Sequence, residues 1–316
     1  TPLHCPTQEL IKHRLEVTPQ PSQINARADV FGNTRSFFSL QTPHRHLRVV
    51  GISEVITRPA VMPDSTLSWE RVREHFRYQM GSEFDAASEF VFASPMVPRH
   101  NEFSAYARPS FMPGMSLLAS ALDLMHRIHH DFVYESQSTE VNTPAIDALA
   151  QRKGVCQDFA HIFVACLRSL GLAARYVSGY LLTAPPPGMV KLRGSDASHA
   201  WASVYLPDQP PGARWLDLDP TNDRAGWPSP GEDYVTLATG RDYSDVSPMR
   251  GVIHGGASHT LTVGVTVEPL TAASTAANQT QSQNQSHGIK SGQSQSQSQS
   301  QFMAPWQTDL SNNQFS

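Results

Sequence analysis

The chain has 316 residues, 39% of them hydrophobic, and a net charge of −4. That length accommodates two domains, or one with a large extension, and a sizeable core. The weak negative charge gives no basic field to recruit nucleic acid or an anionic membrane, and no apolar run approaches the length of a membrane span.

Cys5, Cys156 and Cys166 are the three cysteines. An odd, sparse set argues against a disulfide framework and fits a reducing compartment, so a cytoplasmic protein is expected. No signal peptide is visible, but the chain starts at Thr1 rather than a methionine, which leaves room for a preceding targeting segment. CxxC and HExxH spacings are missing. His44/His46 and His129/His130 lack neighbours of metal-ligand type, so neither a metal nor a cofactor is expected.

Along the first 64 residues, "HRLEV" (His13 to Val17) alternates, and "TRSFFSL" and "HLRVVGISEVI" are rich in β-formers. Gly32-Asn33 reads as a hairpin turn between two strands. Residues 1–64 are therefore expected to form a small β domain of sandwich type. From Ser65 to about Gln151 the pattern is helical. Leu118, Leu122, Met125, Ile128 and Phe132 recur at spacings of four and three, a core-facing stripe that starts after Pro113-Gly114.

From Gly154 onward a helix precedes strands. "KGVCQDFAHIFVACLRSLGL" carries Cys156, Phe159, Phe163, Leu167 and Leu170 on one stripe. "RYVSGYLLT", "HAWASVYL" and "ARWLDLDP" suit strands, and "HTLTVGVTVEPL" reads as a last one; proline clusters at Pro185–Pro187 and Pro210–Pro211 punctuate the loops. One helix on an antiparallel sheet is an α+β arrangement, assigned to residues 65–270 with their helical lead-in. Residues 271–316 are rich in Gln, Ser and Asn and cannot bury enough apolar surface to order, so a disordered tail is expected. Its glutamines and Lys290 have the chemistry of acyl donor and amine, but a solvated tail is the simpler expectation.

A lone cysteine reads first as a small buried hydrophobe. Cys156 differs because it heads a helix, where free N–H groups and the macrodipole favour a thiolate. Gly154 allows a tight turn there and close approach of a substrate. Asp158 suits the same first turn as a cap, whereas Cys166 falls mid-helix and reads as structural. Downstream, His199 opens a strand with Trp201, Ser203 and Tyr205 on its face and is a candidate base. Trp215, Asp217 and Asp219 share a face of the next strand, and either aspartate could orient the imidazole. The bland readings are a packed histidine and solvated strand-end acids. The three elements together form a nucleophile–base–orienter set.

"GVCQDFAHIFVACLRSLGLAARYVSGYLLT", "DASHAWASVYLP", "WLDLDPTN" and "GRDYSDVSPMRGVIHGG" resemble the bacterial transglutaminase-like family, and "HRLEV" with "FGN" is similar to its N-terminal domain. The resemblance spans roughly residues 12 to 269. It implies a papain-like cysteine fold, with Cys156 as nucleophile, His199 as base and Asp219, the aspartate of "DPT", as orienter. Two departures stand out. The strands that open the family's β domain have no counterpart before Thr1, and Tyr234 stands where a histidine is usual.

These features lead to a thiol acyl-transfer enzyme acting on a carboxamide or peptide bond of a protein or peptide substrate. A thioester forms on Cys156 and is resolved by amine or water. The Cys156 backbone N–H is the expected first oxyanion donor, with Gln157 and Trp201 as side-chain candidates. The alternatives are a cysteine peptidase or amidase without transferase activity, and a non-catalytic protein-binding module. Oligomeric state is not legible in the sequence.

Overall fold

The computed structural model describes residues 1–270 except 7, 78–79, 82–83, 137, 184–197 and 253–259. The tail at 271–316 and the cluster Pro185–Pro187 lie outside the described residues.

The N-terminal region is two antiparallel pairs. β1 (Gln8–Thr18) pairs with β4 (Arg48–Thr57), and β2 (Ile24–Ala28) forms a hairpin with β3 (Thr34–Phe38). β2, the strand before the hairpin turn read at Gly32-Asn33, was not delimited in the sequence. The hairpin turn is organised by Asp29, whose Oδ1 accepts from the backbone N–H groups of Phe31 and Asn33. Gly32 takes φ +84°, a left-handed conformation that an L side chain would strain.

The helical stretch holds α1 (Trp69–His75), a 3-10 turn (Ala86–Val91), α2 (Asn101–Ala107), a second 3-10 turn (Arg108–Ser110), α3 (Leu117–Asp131) and α4 (Ala145–Gln151). Ser116 caps α3, its hydroxyl accepting from Ala119 N–H at 3.1 Å. The buried face of α3 runs through Leu117, Ala121, Leu124, Met125 and Ile128, while Leu118 and Leu122 sit on its shoulder, half-buried. The stripe is thus rotated from the one read in the sequence. Ala121 was passed over there because a small residue carries little hydrophobic signal, yet it is fully buried in the main core.

β5 (Val133–Tyr134) runs parallel to β6 (Lys153–Gly154), which leads into α5 (Cys156–Ser169). Then follow β7 (Ala174–Leu181), β8 (Ser198–Tyr205), β9 (Trp215–Asp219), β10 (Arg224–Gly226), β11 (Tyr234–Gly240) and the short α6 (Tyr243–Val246). The five strands β7 to β11 make one antiparallel sheet in the order β10-β9-β8-β7-β11. α5 packs on this sheet and under α2, α3 and α4, so every residue from Asp158 to Arg168 is buried. The stripe of Phe159, Phe163 and Leu167 is therefore one side of a helix enclosed all round, as expected for the central helix of a layered α+β core.

β11 is an edge strand, and edges invite unwanted pairing. Here two buried amides from the N-terminal pairs close it. Gln8 donates to Thr236 O (2.8 Å) and accepts from Thr236 N–H (2.7 Å). Asn33 does the same with Thr239, at 2.8 Å in both directions. Each primary amide presents one donor and one acceptor, the pattern of a peptide group in a neighbouring strand. The strand expected over "HTLTVGVTVEPL" does not form among the described residues. Among the described residues 260–270 only an isolated bridge at Val265 appears, and Val265 is the one buried residue there.

Candidate active site

The first turn of α5 is fixed by Asp158. Its buried carboxylate accepts from Val155 N–H at 2.8 Å and from Thr139 Oγ1 at 2.6 Å, which caps the helix and ties the preceding loop to it. Burial raises the Asp158 pKa, against the pull of these two hydrogen bonds. A Cβ on Gly154 would lie 2.6 Å from Asp158 Oδ2 and 2.8 Å from Asp158 Cβ. The cap by itself therefore calls for a glycine at 154.

Cys156 stands at the head of α5, half-buried and reduced. Cys166 is fully buried in the main core, where burial pushes its thiol pKa far up. His199 reaches the thiol from β8. Its Nε2–H donates to Asp219 Oδ2 at 2.6 Å, which leaves Nδ1 as the ring nitrogen available to Cys156. Burial lowers the His199 pKa, but the Asp219 hydrogen bond, a Cys156 hydrogen bond and the charges of both residues outweigh it, and the pKa rises to about 10. Asp219 moves the opposite way. Burial raises its pKa, but His199, Asn222 and Tyr234 hold it below the usual carboxylate value.

Asp219 is wholly buried and fully engaged. Oδ2 also accepts from Asn222 Nδ2 and from the Tyr234 hydroxyl, both at 2.7 Å, and Oδ1 accepts from the backbone N–H groups of Thr221 and Asn222. Asn222 and Tyr234 were missed as site residues in the sequence. Asn222 had a signal, since an Asp three residues before an Asn in "DPTN" is a turn pattern. Tyr234, noted only as a departure from the resembled family, had none, because β11 returns to the site across the sheet.

Asp217 is neither solvated nor joined to the imidazole. It accepts from Trp201 Nε1 at 2.7 Å and from the Ser203 hydroxyl. Burial pushes its pKa up to about 6, with the Arg175 charge the largest opposing influence. Trp201 in turn lies alongside the His199 ring, inclined to it by 30° at 5.9 Å between centroids. A Cβ on Gly179 would come within 2.4 Å of the Trp201 ring, so a glycine there gives the indole its seat. Gln157 donates its Nε2–H to Val141 O at 2.9 Å. Of the two side chains considered as oxyanion donors, Trp201 has its single N–H committed to Asp217, and Gln157 has one of its two amide N–H groups held by Val141 O. No group of three or more metal-ligating side chains occurs among the described residues.

A cysteine at the head of a buried helix, with histidine and aspartate presented by the adjoining antiparallel sheet, is a papain-like fold of the transglutaminase-like kind. The comparisons agree. Residues 105–220 match the transglutaminase-like superfamily core, and residues 1–56 match the bacterial transglutaminase-like N-terminal region. Rv2569c of Mycobacterium tuberculosis and Mb2599c of Mycobacterium bovis are each 39% identical over 280 residues, covering 85% of this chain and 85% of their own length. The chain belongs to the transglutaminase-like superfamily. Among solved structures, "a Putative Cysteine Protease from Cytophaga hutchinsonii" aligns with a TM-score of 0.53 at 22% identity, over 78% of this chain and 76% of that one. At that identity the likeness concerns the fold.

Proposed function

We propose that the chain is a cysteine acyl-transfer enzyme acting on carboxamide or peptide bonds of proteins or peptides. The observation that carries this reading is His199, linked to Asp219 through Nε2 and influenced by Cys156 on its other side. A base held in one tautomer by a buried carboxylate, facing a thiol at a helix head, is an activated-nucleophile arrangement.

In this reading the Cys156 thiolate adds to the substrate carbonyl carbon and the C=O electron pair moves to oxygen. The Cys156 backbone N–H, free of an intrahelical partner in the first turn, faces that oxygen. Imidazolium at His199 protonates the departing amine as the C–N bond breaks, leaving a thioester on Cys156. Neutral His199 then takes a proton from an incoming amine or water, which releases the acyl group. Asp219 stays ionised throughout, in keeping with its lowered pKa.

The test is incubation with a glutamine-containing protein and a fluorescent amine, beside a peptide-hydrolysis assay, for the wild type and for Cys156→Ala and His199→Ala. Cys156-dependent amine incorporation identifies a transferase, and Cys156-dependent cleavage alone a hydrolase. Activity that survives Cys156→Ala refutes the reading.

A further inference from the structure

Trp201 spends its only N–H on Asp217 and Gln157 is tethered to Val141 O through one of its two amide N–H groups, so a side chain with a wholly uncommitted donor beside Cys156 is worth seeking elsewhere. β5 supplies a hydroxyl. In the parallel β5–β6 pair Tyr134 stands opposite Gly154, and Glu135 N–H donates to Gly154 O at 2.9 Å, which sets this register two residues before Cys156. Residues opposite one another in a sheet project to the same face. On Gly154 that face points at Asp158, in the first turn of α5. The Tyr134 ring follows the same direction, meeting the Phe159 ring edge-on at 6.4 Å between centroids. Its hydroxyl has no hydrogen-bond partner among the described residues, and the residue is 55% exposed.

Tyr176 is the other tyrosine whose ionisation is influenced by Cys156. It is buried between His161 and Tyr243, out of reach of a substrate oxygen. Burial and the charges of Cys156 and Asp158 raise the Tyr134 pKa, so its O–H remains a donor across the working range of a thiol enzyme.

We infer that the Tyr134 hydroxyl is the side-chain oxyanion donor of this site, a catalytic residue that acts beside the Cys156 backbone N–H. The inference rests on Cys156 being the nucleophile. When the thiolate attacks an acyl carbon, the C–S bond forms and the carbonyl electron pair shifts to oxygen. The Tyr134 O–H donates a hydrogen bond to that oxyanion without giving up its proton. Collapse restores the C=O and expels the leaving group.

Two reagents separate this role from a structural one. p-Nitrophenyl acetate acylates a thiol through a tetrahedral oxyanion, with p-nitrophenolate leaving. Iodoacetamide alkylates the same thiol by displacing iodide, with no oxyanion. Losing one oxyanion donor lowers the rate roughly 100- to 1,000-fold. Tyr134→Phe is expected to slow acylation of Cys156 on the order of 100-fold, while alkylation changes by less than about twofold. Unchanged acylation overturns the inference, and so does a parallel loss of both rates, which would mean the ring merely positions the thiol. If wild-type Cys156 takes up neither reagent faster than Cys5 does, the proposed nucleophile fails and the inference with it. The Cys156→Ala control shows which thiol carries the acetyl group.

Discussion

Asp219 accepts the Nε2–H of His199 at 2.6 Å from a position with no solvent exposure. A buried carboxylate is costly unless it is paired and hydrogen-bonded. This one receives donors on both oxygens, so its charge is retained and the imidazole is fixed in one tautomer.

Replacing Asp219 by Asn removes the charge but keeps the shape. The imidazole then loses its tautomer control, and turnover is expected to fall by about 10⁴-fold, as for the equivalent change in other triads. Asp217→Asn is expected to act chiefly on stability. It breaks a buried network that holds Trp201 and Ser203, at about 1–3 kcal/mol. Steady-state rates and thermal melts of the two variants check this. A larger rate loss at Asp217 would reverse the assignment.

The His199–Asp219 pair also sets pH dependence. The His199 pKa is raised from 6.5 to about 10. Its stabilising contribution is therefore fully present below about pH 6.5 and is lost as pH rises through 10. Asp219 is lowered, so its contribution is present above its ordinary value of 3.8 and is lost as pH falls through the lower folded value. Turnover is expected to keep an alkaline limb near pH 10, where imidazolium is lost. In Asp219→Asn burial acts with less opposition and the His199 pKa falls, which ¹⁵N NMR of the imidazole reads directly.

Two thiols on one helix should differ sharply. Native protein treated with iodoacetamide is expected to be labelled at half-buried Cys156 and spared at fully buried Cys166, as peptide mass mapping will show. Cys166→Ala keeps activity and loses on the order of 1 kcal/mol of stability for a small core truncation. Cys156→Ala loses activity with little change in melting temperature.

Gly154→Ala tests the helix cap. The added methyl meets the carboxylate and Cβ of Asp158 at 2.6–2.8 Å, and both belong to a buried side chain already bonded twice. Overpacking of this kind costs about 1–3 kcal/mol. A lower melting temperature together with slower Cys156 alkylation is expected. Wild-type behaviour in both would show that the turn absorbs the methyl freely.

Much of the site was legible in the chain before folding. Helix periodicity put Cys156 in a first turn, strand alternation put His199 and two aspartates on strand faces, and the resemblance chose Asp219 over Asp217. These are local properties, set by the 3.6- and two-residue periods of the backbone. Tertiary structure decided where separate strands meet. It gave Asp217 to Trp201 and Asp219 to His199, although both acids share one face of β9. It brought Tyr234 onto Asp219 because β11 crosses to the far edge of the sheet beside β7. It also turned Gln8 and Asn33 into caps for that edge, across more than two hundred residues of chain. Periodicity names the face a side chain occupies; only the packing of distant segments selects the partner it finds there.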